Sequence, residues 1–133
     1  MEIFNRSLLE SLQYAMDVSS YKNAVIAENI ANIDTPGYKA KKVDFRKSIG
    51  EIFSSQGKMG LVKTNERHID GKKNPENVFF VEYRNSPSLR NDGNDVNIDL
   101  EMYEMSSNGL LYSELSQITG HQFTKIKTAI LGR

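Results

Sequence analysis

The residues able to do chemistry are few. His68 and His121 are the only imidazoles among 133 residues, and there is no cysteine. A zinc site needs several ligands at short, regular spacing, and His68-Ile69-Asp70 with a distant His121 does not supply them; both histidines are expected at the surface. The run Asp92-Gly93-Asn94-Asp95-Val96-Asn97-Ile98-Asp99 has the acid and amide density of a calcium loop. Counted from Asp95, however, its sixth position is Leu100 rather than glycine and its twelfth is Ser106 rather than glutamate, so turn and helix-cap chemistry explains it better. No Ser-His-Asp order, Gly-x-Ser-x-Gly elbow or phosphate-binding glycine loop is present. An enzyme is therefore not expected, and neither is a cofactor.

What the remaining polar residues can do is fix the backbone. The stretch Asn29-Ile30-Ala31-Asn32-Ile33-Asp34-Thr35-Pro36-Gly37-Tyr38-Lys39 places a Pro-Gly breaker after a long helical pattern. Proline fixes φ, glycine permits φ > 0, and Thr35 before proline is pushed out of the α region, which predicts a type II turn over residues 35–38. Asn29, Asn32 and Thr35 either lock this corner through side-chain to backbone hydrogen bonds or contact a neighbouring subunit. Tyr38 packs its ring on the helix end or on a neighbour, with the first preferred.

The corner must be held by what precedes it. Ser7-Leu8-Leu9-Glu10 has the spacing of a capping box, and a helix is predicted over 7–34. Steps of three and four give Leu9, Leu12, Met16, Ser19, Asn23, Ile26, Ile30 and Ile33, an apolar seam with two polar positions in its middle. A second stripe of Leu8, Ala15, Ala24, Ala27 and Ala31 widens the apolar face.

Beyond the corner, from 39 to about 91, glycine and proline break the rhythm and suggest loops with a small β element. Residues 78–84 are the best strand, 61–64 a possible partner, and 54–59 look flexible. After the turn over 91–95, Asn97 can cap a second helix with Asp99 and Glu101 at its positive end. Its 4-3 seam runs through Ile98, Met102, Met105, Gly109, Tyr112, Ser116, Thr119, Phe123, Ile126 and Ile130, with Leu111, Leu115 and Ile118 one position off.

The fold class is thus mainly α: long N- and C-terminal helices pair as an antiparallel coiled coil, with a loop-rich insert between. It is one structural domain of three parts: helix and turn (1–38), insert (39–91) and C-terminal helix (92–133). The pairing brings Ile33 near Ile98, Leu9 near Phe123, Ser19 opposite Tyr112 and Asn23 opposite Gly109. It also sets the basic run Lys39, Lys41, Lys42, Arg46 and Lys47 beside the acidic start of the second helix, if that run is more than a solvated face. Two helices alone bury too little apolar surface to order themselves firmly, so further helices are expected to pack on the spare stripes.

Lys+Arg and Asp+Glu balance at 17 each, which gives no reason to expect nucleic acid or an anionic membrane. Mean hydropathy is −0.51, no run approaches membrane-spanning length, and no cleaved secretory signal is visible.

Three stretches carry a resemblance: Asn29 to Lys39 followed by Val43-Asp44-Phe45; Thr64-Asn65-Glu66-Arg67-His68-Ile69; and Asp92 to Asn97 leading into Leu100-Glu101-Met102, with Tyr112 and Ile126 to Ile130 beyond. Together they resemble the axial rod and hook proteins of the bacterial flagellum, and among these the proximal rod members. The resemblance implies a non-enzymatic protein that polymerises helically at the base of the rod. It also implies export without a cleaved signal through the flagellar type III apparatus, to the periplasmic rod of the basal body. Implied partners are other rod subunits (copies of itself and more distal ones), the hook-basal-body adaptor protein at the rod base, and the export gate. The competing reading is a soluble coiled-coil adaptor or export chaperone.

Overall fold

A computed structural model of the chain describes residues 6–56, 79–84 and 90–132. The element order is α1 (Arg6–Ala31), β1 (Lys41–Val43), α2 (Phe45–Gln56), β2 (Val81–Tyr83) and α3 (Ile98–Leu131). The mainly helical architecture predicted from periodicity is the observed one, with α1 and α3 antiparallel and a small sheet between them in sequence.

α1 is described from Arg6, one residue before the predicted start. Its regular part stops at Ala31, short of 34, and the chain tightens into i→i−3 bonds: Ile33 N–H to Ile30 O at 3.2 Å and Thr35 N–H to Asn32 O at 3.0 Å. The predicted type II turn follows, with Gly37 at φ +73° and Tyr38 N–H donating to Thr35 O at 3.3 Å.

α2 occupies ground read from sequence as loop. Asp44 is its N-cap, accepting from Lys47 N–H at 2.9 Å, and Ser48 N–H reaches Asp44 O at 3.0 Å. A signal was present in Asp44 followed by Phe45, Ile49, Ile52 and Phe53, but Gly50 inside so short a run masked it. The strand expected over 78–84 is narrower, and its partner is β1, in antiparallel register Lys41↔Tyr83, Lys42↔Glu82 and Val43↔Val81. The partner proposed at 61–64 and His68 lie outside the described residues.

α1 is packed on two sides. Toward α2 and the sheet, Val18, Val25 and Val43 form a buried cluster against Phe45, Ile49 and Phe79, and the rings of Tyr21 and Phe79 stack with centroids 4.4 Å apart. Toward α3, α1 buries Leu12, Ala15, Ser19, Ile26 and Asn29. α3 is capped by Asn97, whose Oδ1 accepts from Asp99 and Leu100 N–H, and closes on Gly132 in the left-handed region. Its 34 residues span about 50 Å at 1.5 Å per residue.

The side of α3 that meets α1 is not the most apolar one. Its buried residues are Glu101 and Asn108. Met105 and Ile126 of the predicted seam are half-buried, whereas Ile98, Met102, Tyr112, Phe123 and Ile130 are exposed. On α1 the predicted seam fares differently: Leu12 and Ile26 are buried, and Leu9, Met16, Ile30 and Ile33 half-buried. Leu9, Met16, Tyr112 and Phe123 line one groove between the helices. Ser19 faces Asn108 rather than Tyr112, and Asn23 also meets Asn108, next to the expected Gly109. Of the second stripe only Ala15 is buried; Leu8, Ala24, Ala27 and Ala31 are exposed.

Candidate functional site

The corner after α1 and the turn before α3 form one interlocked unit, built by asparagines. Asn29, fully buried near the end of α1, uses its whole carboxamide. Nδ2–H donates to Lys41 O at 2.8 Å and to Glu101 Oε2 at 3.1 Å; Oδ1 accepts from Lys41 N–H at 2.9 Å and from the Tyr38 hydroxyl at 3.3 Å. One side chain thereby acts as a strand neighbour for β1 while joining α1 to α3 and to the turn.

Asn94 performs the matching task from the other motif. Buried to 1% exposure, its Nδ2 lies within 3.0 Å of the carbonyls of Asn32, Ile33 and Thr35, while Oδ1 accepts from Val96 N–H at 2.8 Å. A helix end leaves carbonyls without partners, and here a residue some sixty positions away in sequence satisfies them. Arg90 adds a bond from Nη1 to Ile33 O at 3.1 Å. Gly37 N–H donates to Asp92 O at 2.9 Å, and Ala40 N–H to Asp95 Oδ1 at 2.6 Å.

The other corner residues play smaller parts. Asn32 Nδ2 bonds back to Glu28 O at 2.8 Å and its Oδ1 accepts from the Thr35 hydroxyl at 3.2 Å, both at the surface. Pro36 and Gly37 are exposed, Ala31 also; Ile30 is half-buried. Tyr38 is partly covered, and that burial, reinforced by the Glu28 carboxylate, pushes its hydroxyl above the usual tyrosine value.

A second layer closes the unit behind the corner. Glu101, 1% exposed, is paired with Arg84 through Nη1 and Oε1 at 2.9 Å, so the end of β2 is tied to α3. Farther along, Asn108 Nδ2 donates to Ser19 O and to Asn23 Oδ1, both at 2.8 Å, and its Oδ1 accepts from the Ser19 hydroxyl at 3.1 Å. Between these two layers Lys22 and Glu104 pair at 2.6 Å, and that hydrogen bond holds the Glu104 carboxyl below its ordinary value.

The expected meeting of the basic segment with the acidic start of α3 occurs through the backbone rather than through ion pairs. Lys39 Nζ donates to Gly93 O at 2.9 Å, Lys41 pairs with Glu28 of α1, and Lys47 pairs with Glu82 at 2.5 Å. The Asp92 carboxyl is held low, first by Asn94 N–H and then by Arg90.

Asn94, Glu101, Arg84 and Asn108 escaped the sequence reading as site residues. Glu101 reads as an ordinary first-turn acid and Asn94 as a turn residue, and their partners are distant in sequence. Among the described residues no group of three or more His, Cys, Asp or Glu side chains is placed to hold a metal ion, and His121 is exposed. The geometry supports no bond-making chemistry; it locks three chain segments at fixed angles.

A long helix, a Thr-Pro-Gly corner locked to an Asn-rich turn and a returning helix define a subunit of the flagellar rod class: residues 10–39, covering most of α1 and the corner, match the flagella basal body rod protein family. The likeness extends to whole chains. A flagellar basal body rod protein FlgB of Bacillus subtilis is 34% identical over 132 residues, covering 99% of this chain and 98% of its own length. That of Borreliella burgdorferi is 32% identical over 98% of this chain and 99% of its own. The Salmonella typhimurium protein is 29% identical over 90% of each. The chain belongs to the FlgB family of flagellar basal body rod proteins.

Proposed function

We propose that this chain is a structural subunit of the proximal rod, packing helically with copies of itself and with more distal rod subunits. Family membership supports the coarse statement, a structural protein of the flagellar basal body rod and not an enzyme. The observation that carries the finer one is the uncovered side of α3: Met102 is 50% exposed, Phe123 60% and Ile130 70%. Large apolar side chains at helical spacing along one element are suited to bury against another helix. Among the described residues no helix is long and apolar enough to cross a membrane. The hook-basal-body adaptor protein and the export gate are the expected neighbours at the rod base, reached by type III export without a cleaved signal.

Fractionation and deletion test this reading. The protein is expected in purified basal bodies, and its deletion to abolish rods and motility. A purely cytoplasmic pool, with basal bodies intact in the deletion strain, would favour the soluble adaptor or export chaperone instead.

A further inference from the structure

Over residues 101–112, α3 carries two overlapping 4-3 seams that share Met105 and Tyr112. One adds Glu101 and Asn108; the other adds Met102 and Gly109. The two are related by a roll of about 50° around the helix axis, half the 100° between successive residues. On apolar content alone, the seam with Met102 should face α1 along this stretch. The opposite holds: Glu101 and Asn108 are 1% and 2% exposed, Met102 is 50% exposed, and the space beside Gly109 is open.

We propose that Glu101 and Asn108 are rotational keys, which hold α3 with its bulkier apolar stripe turned away from α1 and available for assembly. Each key is saturated from outside its own helix. Glu101 takes Arg84 and Asn29, and Asn108 takes the Ser19 hydroxyl, the Ser19 carbonyl and Asn23. Rolling α3 by 50° breaks all of these bonds at once and strands buried polar groups, a larger penalty than leaving Met102 in water. A single buried asparagine sets register in coiled coils by the same logic. The rotation is a property of the isolated chain; that another rod subunit covers the stripe rests on the function proposed above.

The chain has no cysteine, so Met102→Cys creates its sole thiol. With the keys intact, in dilute monomer, this thiol is expected to react freely with a maleimide. In the background Ser19→Ala/Asn108→Ala/Arg84→Ala/Glu101→Ala, which removes both keys together with one partner of each, labelling is expected to slow at least about tenfold as the stripe turns inward, with helix content by circular dichroism retained. If that background loses its helices, the milder Ser19→Ala/Asn108→Ala pair is read in the same way. Unchanged labelling in a folded variant overturns the proposal. So does loss of helix in both, because the polar layers would then hold the helices together rather than choose their rotation. Because the readout is taken on monomer, its failure leaves the rod assignment untouched, and failure of that assignment leaves the labelling result standing.

Discussion

Asn29 shows how much a single carboxamide can organise. Its replacement by alanine leaves the Lys41 N–H and C=O without their partner and removes one of the two groups on Glu101. Each buried group left unpaired costs about 1–3 kcal/mol, so Asn29→Ala is expected to lower unfolding stability by about 3 kcal/mol, measured by urea denaturation followed by circular dichroism. Asn29→Asp should be worse at neutral pH, because it sets a second carboxylate beside Glu101. The pair ranks the corner's hydrogen bonds against its charge. Gly37 is a milder case: no neighbour lies within 4 Å of an added Cβ, so Gly37→Ala carries only the penalty of its φ of +73°, about 1 kcal/mol. A much larger loss in the same denaturation assay would mean that Gly37 is in contact with something beyond the described structure.

At the scale of elements, the acids tie α3 to the rest of the chain, and their titration has a definite sign. Glu104 is held below its ordinary value by Lys22, and Asp92 by Asn94 N–H and Arg90. Groups whose folded values are depressed contribute stability that is fully present above their unfolded values, roughly 3.9–4.3, and is lost as pH falls through the folded ones. The thermal midpoint is therefore expected to be flat near neutrality and to fall below about pH 4, and Lys22→Met should flatten the part of that fall owed to Glu104. In the Glu101–Arg84 bridge both partners are largely covered, so substitution is the test. Arg84→Met alone leaves a buried carboxylate short of its partner and is expected to cost about 3 kcal/mol, while Arg84→Met/Glu101→Met recovers most of it. These elements also mark what the sequence could disclose. The two long helices and the Pro-Gly corner were legible because a 3.6-residue rhythm and a breaker are local signals. α2 was not, since one glycine in twelve residues hides so short a pattern. The facing of α3 was not either: an apolar template sends Glu101 and Asn108 to solvent, and only Arg84, Asn29, Ser19 and Asn23, all far away in sequence, reverse that choice. Within the corner, the motif singled out Asn29, Thr35 and Gly37 as geometry-setting residues. Its dependence on Asn94 needed the third dimension.

The described part of the molecule is a hydrogen-bonded corner from which one long helix projects an apolar stripe, and the two features divide the work. Corner and polar layers fix the angle of α1 to α3 and the rotation of α3; the stripe supplies the surface that neighbouring subunits can bury. This division has a measurable consequence. Met102 and Phe123 are at least half exposed, Phe123 at the rim of the groove it lines with Leu9 and Met16, so Met102→Glu/Phe123→Glu should change monomer stability by no more than about 1 kcal/mol. In an assembly each would bury a carboxylate against an apolar neighbour with no partner for its charge, which is prohibitive. The double variant is expected to be made at normal levels and to retain its helical circular dichroism, yet to be missing from purified basal bodies and to leave cells non-motile. A motile strain with the variant present in its rods would show that the stripe faces solvent in the finished structure, and that subunits meet through another surface, such as the exposed side of the sheet at Val81 and Tyr83, instead.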